Sequence, residues 1–225
     1  MSLTELEAEV LRLRKMVEEG SKANDYLEIW QLMSTYSHLY HAFKRSEVPN
    51  LFAQKTPGVE VEIEDSGVYE GIEGVRKVFC GILADERHKV PGFLGIHMTC
   101  NPVIEMNDGR TEAKGLWHSH GSVTLNQNDR LTSFWCLGKY DMTFVKEDGQ
   151  WKILKMFYRL AYMTPFEKGW VEEPQGASIT AAHAKFPPDR PSTYHMPYNR
   201  HRVNVFQPLP PKPYEKSYSK PDGGK

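Results

Sequence analysis

Four long extended segments, at about 94–106, 111–126, 131–147 and 150–163, follow one another with only turn signals between them. Those turns fall at Asn107-Asp108-Gly109, Asn126 to Asp129 and Glu147-Asp148-Gly149, residue types that accept the backbone of tight turns. Strands joined so closely must run antiparallel, because a parallel return needs a crossover of a dozen residues or more. The sequence therefore predicts a long antiparallel meander, and the rest of the chain has to pack on it or wrap around it.

What precedes the meander reads mostly as helix. Leu3, Leu6, Val10, Leu13 and Val17 step by three and four, the seam of a heptad repeat, and predict an amphipathic helix over residues 1–20. Fewer than three heptads make no stable coiled coil alone, so the seam is expected to pack on its own domain or on a second subunit. Gly20, Ser21, Ala23 and Asn24 predict a break, with Asn24 or Asp25 capping a second helix that runs to about Lys44. Ile29, Leu32, Tyr36, Leu39 and Phe43 recur along it at helical spacing. Val59, Val61 and Ile63 alternate with Glu60, Glu62 and Glu64 as in a half-exposed strand, and Gly71 to Leu83 returns to a helical period.

The expected fold class is α+β: a cone-shaped curved antiparallel sheet wrapped around N-terminal helices and enclosing a pocket. Three regions follow: a helix over 1–20, a catalytic domain over 21–165, and a proline-rich extended tail over 166–225. The stretch from Met163 onwards holds 11 of the 15 prolines. Its Trp170, Phe186, Tyr194, Tyr198 and Phe206 predict that it docks in extended form, since a free tail has no use for them.

Composition removes several partner classes. With 28 Lys plus Arg against 29 Asp plus Glu, the net charge of -1 gives no electrostatic reason to approach nucleic acid or an anionic membrane. No apolar stretch approaches the ~20 residues of a membrane span. The N-terminus lacks the apolar run of a secretory signal, and Cys80, Cys100 and Cys136 are odd in number with no CxxC spacing, so reduced thiols in a cytoplasmic protein are expected. A GxSxG elbow, a GxGxxG turn and a phosphate loop are all missing from the sequence.

The histidines carry the chemistry. His97 sits in the first meander segment, and His118 and His120, two apart in the second, point to one face with Leu116 and Ser122. Phe134, Cys136, Gly138, Tyr140, Met142 and Phe144 share a face of the third, as do Leu154, Met156, Tyr158, Leu160 and Tyr162 of the fourth. If these faces align, histidines and tyrosines surround an apolar cavity suited to an aromatic or polycyclic guest and to moving a proton within it. Alternatively, His97, His118 and His120 form a three-nitrogen metal site, although no carboxylate follows at a matching spacing. His88, His183, His195 and His201 lie outside the sheet and read as structural.

Four segments, EIWQLMSTYSHLYHAF (28–43), VYEGIEGVRKVF (68–79), GIHMTCNPVIEM (95–106) and GKYDMTFVKEDGQWKI (138–153), resemble in order and spacing the SnoaL-like branch of the nuclear transport factor 2-like superfamily. The resemblance implies a cone-shaped fold over roughly 20–165. Members include dehydratases, polyketide cyclases and formaldehyde-releasing lyases of lignin-derived diaryl compounds, and most use no cofactor. By position the resemblance assigns Tyr36 to the helix tyrosine, His97 to the strand histidine and Tyr140 to a further pocket tyrosine. Counting from Tyr36 puts His41 where relatives carry an aspartate.

The expectation is a cofactor-independent lyase acting on a hydroxylated aromatic or polycyclic small molecule, by dehydration or by retro-aldol loss of formaldehyde. Its catalytic candidates are His97, Tyr36, His41 and Tyr140, with His118, His120, Tyr158, Arg159 and Tyr40 binding substrate. Alternation puts Arg159 opposite Tyr158, so both face the pocket only across a bulge. A non-catalytic binding module of the same fold is the alternative, and a histidine-ligated metal enzyme the third reading. A homo-oligomer, dimer or trimer, is expected from the exposed seam and the tail.

Overall fold

A single helix, α1 (Leu3–His41), opens the chain. Ser2 and Glu5 close its first turn with a reciprocal capping box. The computed structural model describes residues 1–127, 130–176, 184–193 and 196–213. The break expected at Gly20 to Asn24 does not occur. Glycine inside a helix costs only ~1 kcal/mol relative to alanine, and Asp25, expected as a cap, instead lies inside the helix, 3% exposed. Lys146, the indole N–H of Trp151 (2.9 Å) and Arg110 (3.3 Å) hold its carboxylate, tying mid-helix to the turn end of the sheet. Beyond it Ile29, Met33 and Tyr36 are buried, whereas Leu3, Leu6, Val10, Leu13 and Val17 of the heptad seam are exposed. The helix stops at His41, earlier than expected, and Phe43 follows with φ 54°.

A short 3-10 helix (Arg45–Leu51) leads to β1 (Glu60–Ile63), β2 (Val68–Glu70), α2 (Gly71–Arg76) with a π-helical continuation (Lys77–Ile82), and α3 (Asp85–His88). Then come β3 (Leu94–His97), β4 (Cys100–Met106), β5 (Glu112–Gln127), β6 (Arg130–Glu147) and β7 (Gln150–Pro165). The first predicted meander segment is thus two strands, both paired antiparallel with β5. The β5–β6–β7 meander forms as expected. The sheet as a whole is mixed rather than antiparallel, because β1 runs parallel to β7 after a connection that is ample for a crossover. The order is β2-β1-β7-β6-β5-β3, with β4 also on β5.

Register sets which side chains face inward. Trp117, Tyr140 and Tyr158 are cross-strand neighbours in one buried row. Register shifts at Leu137/Gly138 and Thr143/Phe144 re-aim β7, so Ile153 and Met163 turn to the core in place of Leu154 and Tyr162. Tyr162 stacks on Trp170 instead, with centroids 5.0 Å apart.

The described part of the tail meets the sheet at its β2 edge and again on β6. The Val68 N–H donates to the Arg190 carbonyl (2.9 Å), and the Tyr69 hydroxyl to that of Phe186 (2.8 Å). The Lys139 ammonium donates to the carbonyls of Phe206 (2.6 Å) and Pro208 (2.9 Å). His183, Tyr194 and His195 lie outside the described residues. No helix among the described residues is long and apolar enough to cross a membrane.

Candidate functional site

Tyr36 and Tyr40 sit one turn apart near the end of α1 and so share a helical face. They meet His97 from β3, Tyr140 from β6 and Tyr158 from β7 around a cavity of about 90 Å³. Ile63, Phe93, Val123 and Leu125 make its walls apolar. An engineered cavity of ~150 Å³ takes up benzene, so this smaller space holds only part of a ring-sized guest, and the rest extends beyond it.

His97 is fixed at three points. Its backbone N–H donates to Nε2 of His41 (2.8 Å), its carbonyl accepts from the Ser37 hydroxyl (3.2 Å), and its Nδ1 lies 3.6 Å from the Cys136 sulfur. Tyr40 and Tyr158 flank the imidazole edge-on, at 5.5 and 5.7 Å between centroids. Directly across the ladder is Gly121. A Cβ at that position would stand 2.3 Å from the Ile96 carbonyl oxygen and 2.5 Å from the Cys136 sulfur. Only glycine lets β3 come this close. Gly121→Ala is expected to cost about 1–3 kcal/mol through overpacking and to push His97 away from Cys136. Unchanged melting would show that β3 is not seated by this contact.

Electrostatics follow from burial. Burial, with His41 and Arg45 adding to it, drives the His97 pKa down to about 4, so the ring is neutral at pH 7. Burial raises Tyr36, Tyr40, Tyr140 and Tyr158 above the ordinary phenol value and pushes the Cys136 thiol up to about 12. These groups are proton donors, not anions. The Tyr36 and Tyr140 hydroxyls lie 3.2 Å apart, so one donates to the other and a proton remains for a guest.

Several sequence expectations need correction. His41 does not line the cavity: residues five apart leave a helical face, and its imidazole holds the backbone of His97 instead. His118 and His120 share a face as expected, but it is the outer one, against Phe206 and Trp135. The inward residues of β5 are Trp117, Ser119 and Gly121. The trio His97, His118 and His120 therefore cannot meet around one metal. Among the described residues no cluster of three or more His, Cys, Asp or Glu is placed to hold one. Arg159 also faces outward, with the Glu62 carboxylate (2.7 Å) and Thr193 hydroxyl (3.0 Å), and does not reach the cavity.

Three polar residues were missed. Arg45, 1% exposed, lies with its guanidinium 4.2 Å over the Tyr40 ring and donates to the Leu83 carbonyl (3.1 Å). His88, expected to be structural, is at the cavity wall with Nδ1 donating to the Ala84 carbonyl (3.0 Å). Glu64, read as an exposed strand residue, also lines the cavity.

A helix laid in the curve of a mixed sheet, with four phenols and the imidazoles of His97 and His88 around a small apolar cavity, defines an α+β fold with an internal pocket. The chain belongs to the SnoaL-like domain family, which it matches over residues 21–156. Among solved structures it is similar to a putative scytalone dehydratase from Novosphingobium aromaticivorans, at 20% identity and a TM-score of 0.54 over 71% of this chain and 99% of that one. It is also similar to the hexachlorocyclohexane dehydrochlorinase LinA-type3 from Novosphingobium barchaimii, at 19% identity and a TM-score of 0.53 over 66% and 94%. At such identities the likeness is one of fold. No curated protein matches the sequence.

Proposed function

We propose that the protein is a cofactor-independent lyase acting on a hydroxylated aromatic small molecule by proton transfer. One observation carries this reading: His97 and the Tyr36–Tyr140 hydroxyl pair, far apart in sequence, line one cavity. In the tautomer whose Nδ1–H turns to the Cys136 sulfur, Nε2 of His97 carries the lone pair that serves as the base. It removes a proton from a carbon next to a carbonyl, and the phenol pair donates to the oxygen on which the charge collects. A base with a pKa of about 4 is weak, so this stabilisation is essential to the step. The bond that then breaks is C–O, releasing water. If Nε2 instead takes the hydroxyl proton, C–C cleavage releases formaldehyde. The two similar solved structures are named for eliminations, a dehydratase and a dehydrochlorinase.

β-Hydroxypropiophenone, a one-ring probe that can lose either water or formaldehyde, tests the reading. Saturable formation of the enone, or of acetophenone with formaldehyde, is expected. Binding without turnover would favour the non-catalytic module of the same fold.

The exposed seam of α1 gives the proposal a second part: two copies pair through Leu3, Leu6, Val10, Leu13 and Val17. Sedimentation equilibrium at micromolar concentration should then give a dimer that Leu6→Glu with Leu13→Glu dissociates. A monomeric parent protein would end this part.

A further inference from the structure

Glu64 follows directly on β1, at the start of the turn to β2, and does not continue the alternation of that strand. Along β1, Val61 and Ile63 are buried on the core side and Glu62 points outward to Arg159, so period two would send Glu64 outward as well. Instead its backbone is left-handed, with φ 59°, and its N–H donates to the Tyr158 carbonyl (2.9 Å). Consecutive residues Ile63 and Glu64 both line the cavity as a result. A non-glycine residue held there costs ~1–3 kcal/mol, and such outliers gather where function sets the geometry.

We propose that Glu64 is a second catalytic residue, the acid that delivers a proton to the departing hydroxyl, and that the reaction is therefore dehydration rather than loss of formaldehyde. This rests on the lyase reading of the same cavity. His97 Nε2 takes the proton on carbon, the electron pair of that C–H bond forms the C=C bond, and the C–O bond breaks. Its electron pair leaves as hydroxide and takes the Glu64 proton to become water. Imidazolium and carboxylate remain, and a proton passing from one to the other restores the resting site. Formaldehyde loss needs no acid at the hydroxyl, because there the hydroxyl gives up its proton.

The resting state fits these roles. Glu64 shares the cavity lining with Tyr40 from α1, Tyr158 from β7, His97 from β3 and His88 from α3, with Asp65 beside it in the chain and the Cys136 thiol of β6 within reach of its charge. Burial, then the neighbouring Asp65, push its carboxyl up to about 8, while His97 falls to about 4. The carboxylic acid is thus protonated and the imidazole bare at pH 7, and opposed shifts of this kind mark an acid and a base.

The test compares wild type, Glu64→Gln and His97→Ala with β-hydroxypropiophenone across pH. Wild type should form the enone, with the rate falling below about pH 4 and above about pH 8. Glu64→Gln should lose ~100-fold or more in kcat with little change in KM. Melting supplies a readout independent of turnover. Glu64 binds its proton more tightly folded than unfolded, so its contribution to wild-type stability falls as pH rises from about 4.5 to about 8. Glu64→Gln should lack that fall. Turnover abolished in His97→Ala but untouched in Glu64→Gln would overturn this inference and leave the lyase standing, and so would release of acetophenone and formaldehyde. A pH-melting profile identical in Glu64→Gln and wild type would overturn the protonated Glu64. No turnover in any form would remove both readings.

Discussion

Replacing His97 by alanine is expected to lower turnover by at least ~100-fold, the low end of what a positioned acid or base contributes, while the protein melts as before. The fold should survive because the imidazole borders an existing cavity and its polar side-chain contact is the weak one to Cys136 at 3.6 Å. What holds β3 in place is the backbone of residue 97, through His41 and Ser37, and alanine keeps both bonds. Steady-state kinetics beside a thermal melt separate the two effects. A variant with most of the parent's rate would take the imidazole out of the mechanism.

Glu62→Met should be the most destabilising of the substitutions considered, by about 3–5 kcal/mol, because it strands a buried guanidinium. Glu62 is 0% exposed and accepts from Arg159 (2.7 Å), the Thr193 N–H (2.8 Å) and the Ser192 and Thr193 hydroxyls. Asp141, at 4.0 Å, is the other carboxylate near Arg159. At ~2–4 °C per kcal/mol in a chain of this size, the melting midpoint should fall by roughly 6–20 °C. The sign with pH is also fixed. Burial opposes ionisation of Glu62, but the Ser192 and Thr193 hydrogen bonds and the Arg159 charge outweigh it and hold its pKa below the usual value. Its stabilisation is therefore present above about pH 4.5 and lost as pH falls through the depressed folded value. Glu62→Met should lack this acid-side loss. A midpoint within a degree of the parent would show that the pair is not what fastens Ser192 and Thr193 to the sheet.

The strands were legible because turn chemistry is local: Asn107-Asp108-Gly109 and Glu147-Asp148-Gly149 mark the ends of β4, β5, β6 and β7 whatever surrounds them. Faces were harder. Period two grouped His118 with His120, but that row of β5 has Leu116 as its one large apolar side chain among Lys114, Ser122 and Thr124, whereas Trp117, Val123 and Leu125 mark the other row as the inward one. Gly115 and Gly121 in the Trp117 row were a further signal, since a Cβ at either would collide with the crowded interior. On β7 the two register shifts exchanged Leu154 for Ile153 and Tyr162 for Met163, and nothing in the residues announces such a shift. Glu64 escaped for the same kind of reason: a left-handed glutamate is imposed by tertiary structure, not by propensity. Gly20 misled in the opposite direction, since packing of the Asp25 region carries the helix straight through it. Of the candidate site, Tyr36, Tyr40, His97, Tyr140 and Tyr158 were readable, and they are the ones that converge.

The bare outer stretch of α1, from Leu3 to Met16, extends roughly 20 Å at 1.5 Å per residue. A particle with such a rod tumbles and migrates more slowly than a sphere of equal mass. Elution volume on a sizing column would overstate the number of copies, and a lone subunit would pass for a pair. Stoichiometry has to come from a method blind to shape, which makes scattering or equilibrium ultracentrifugation the arbiter.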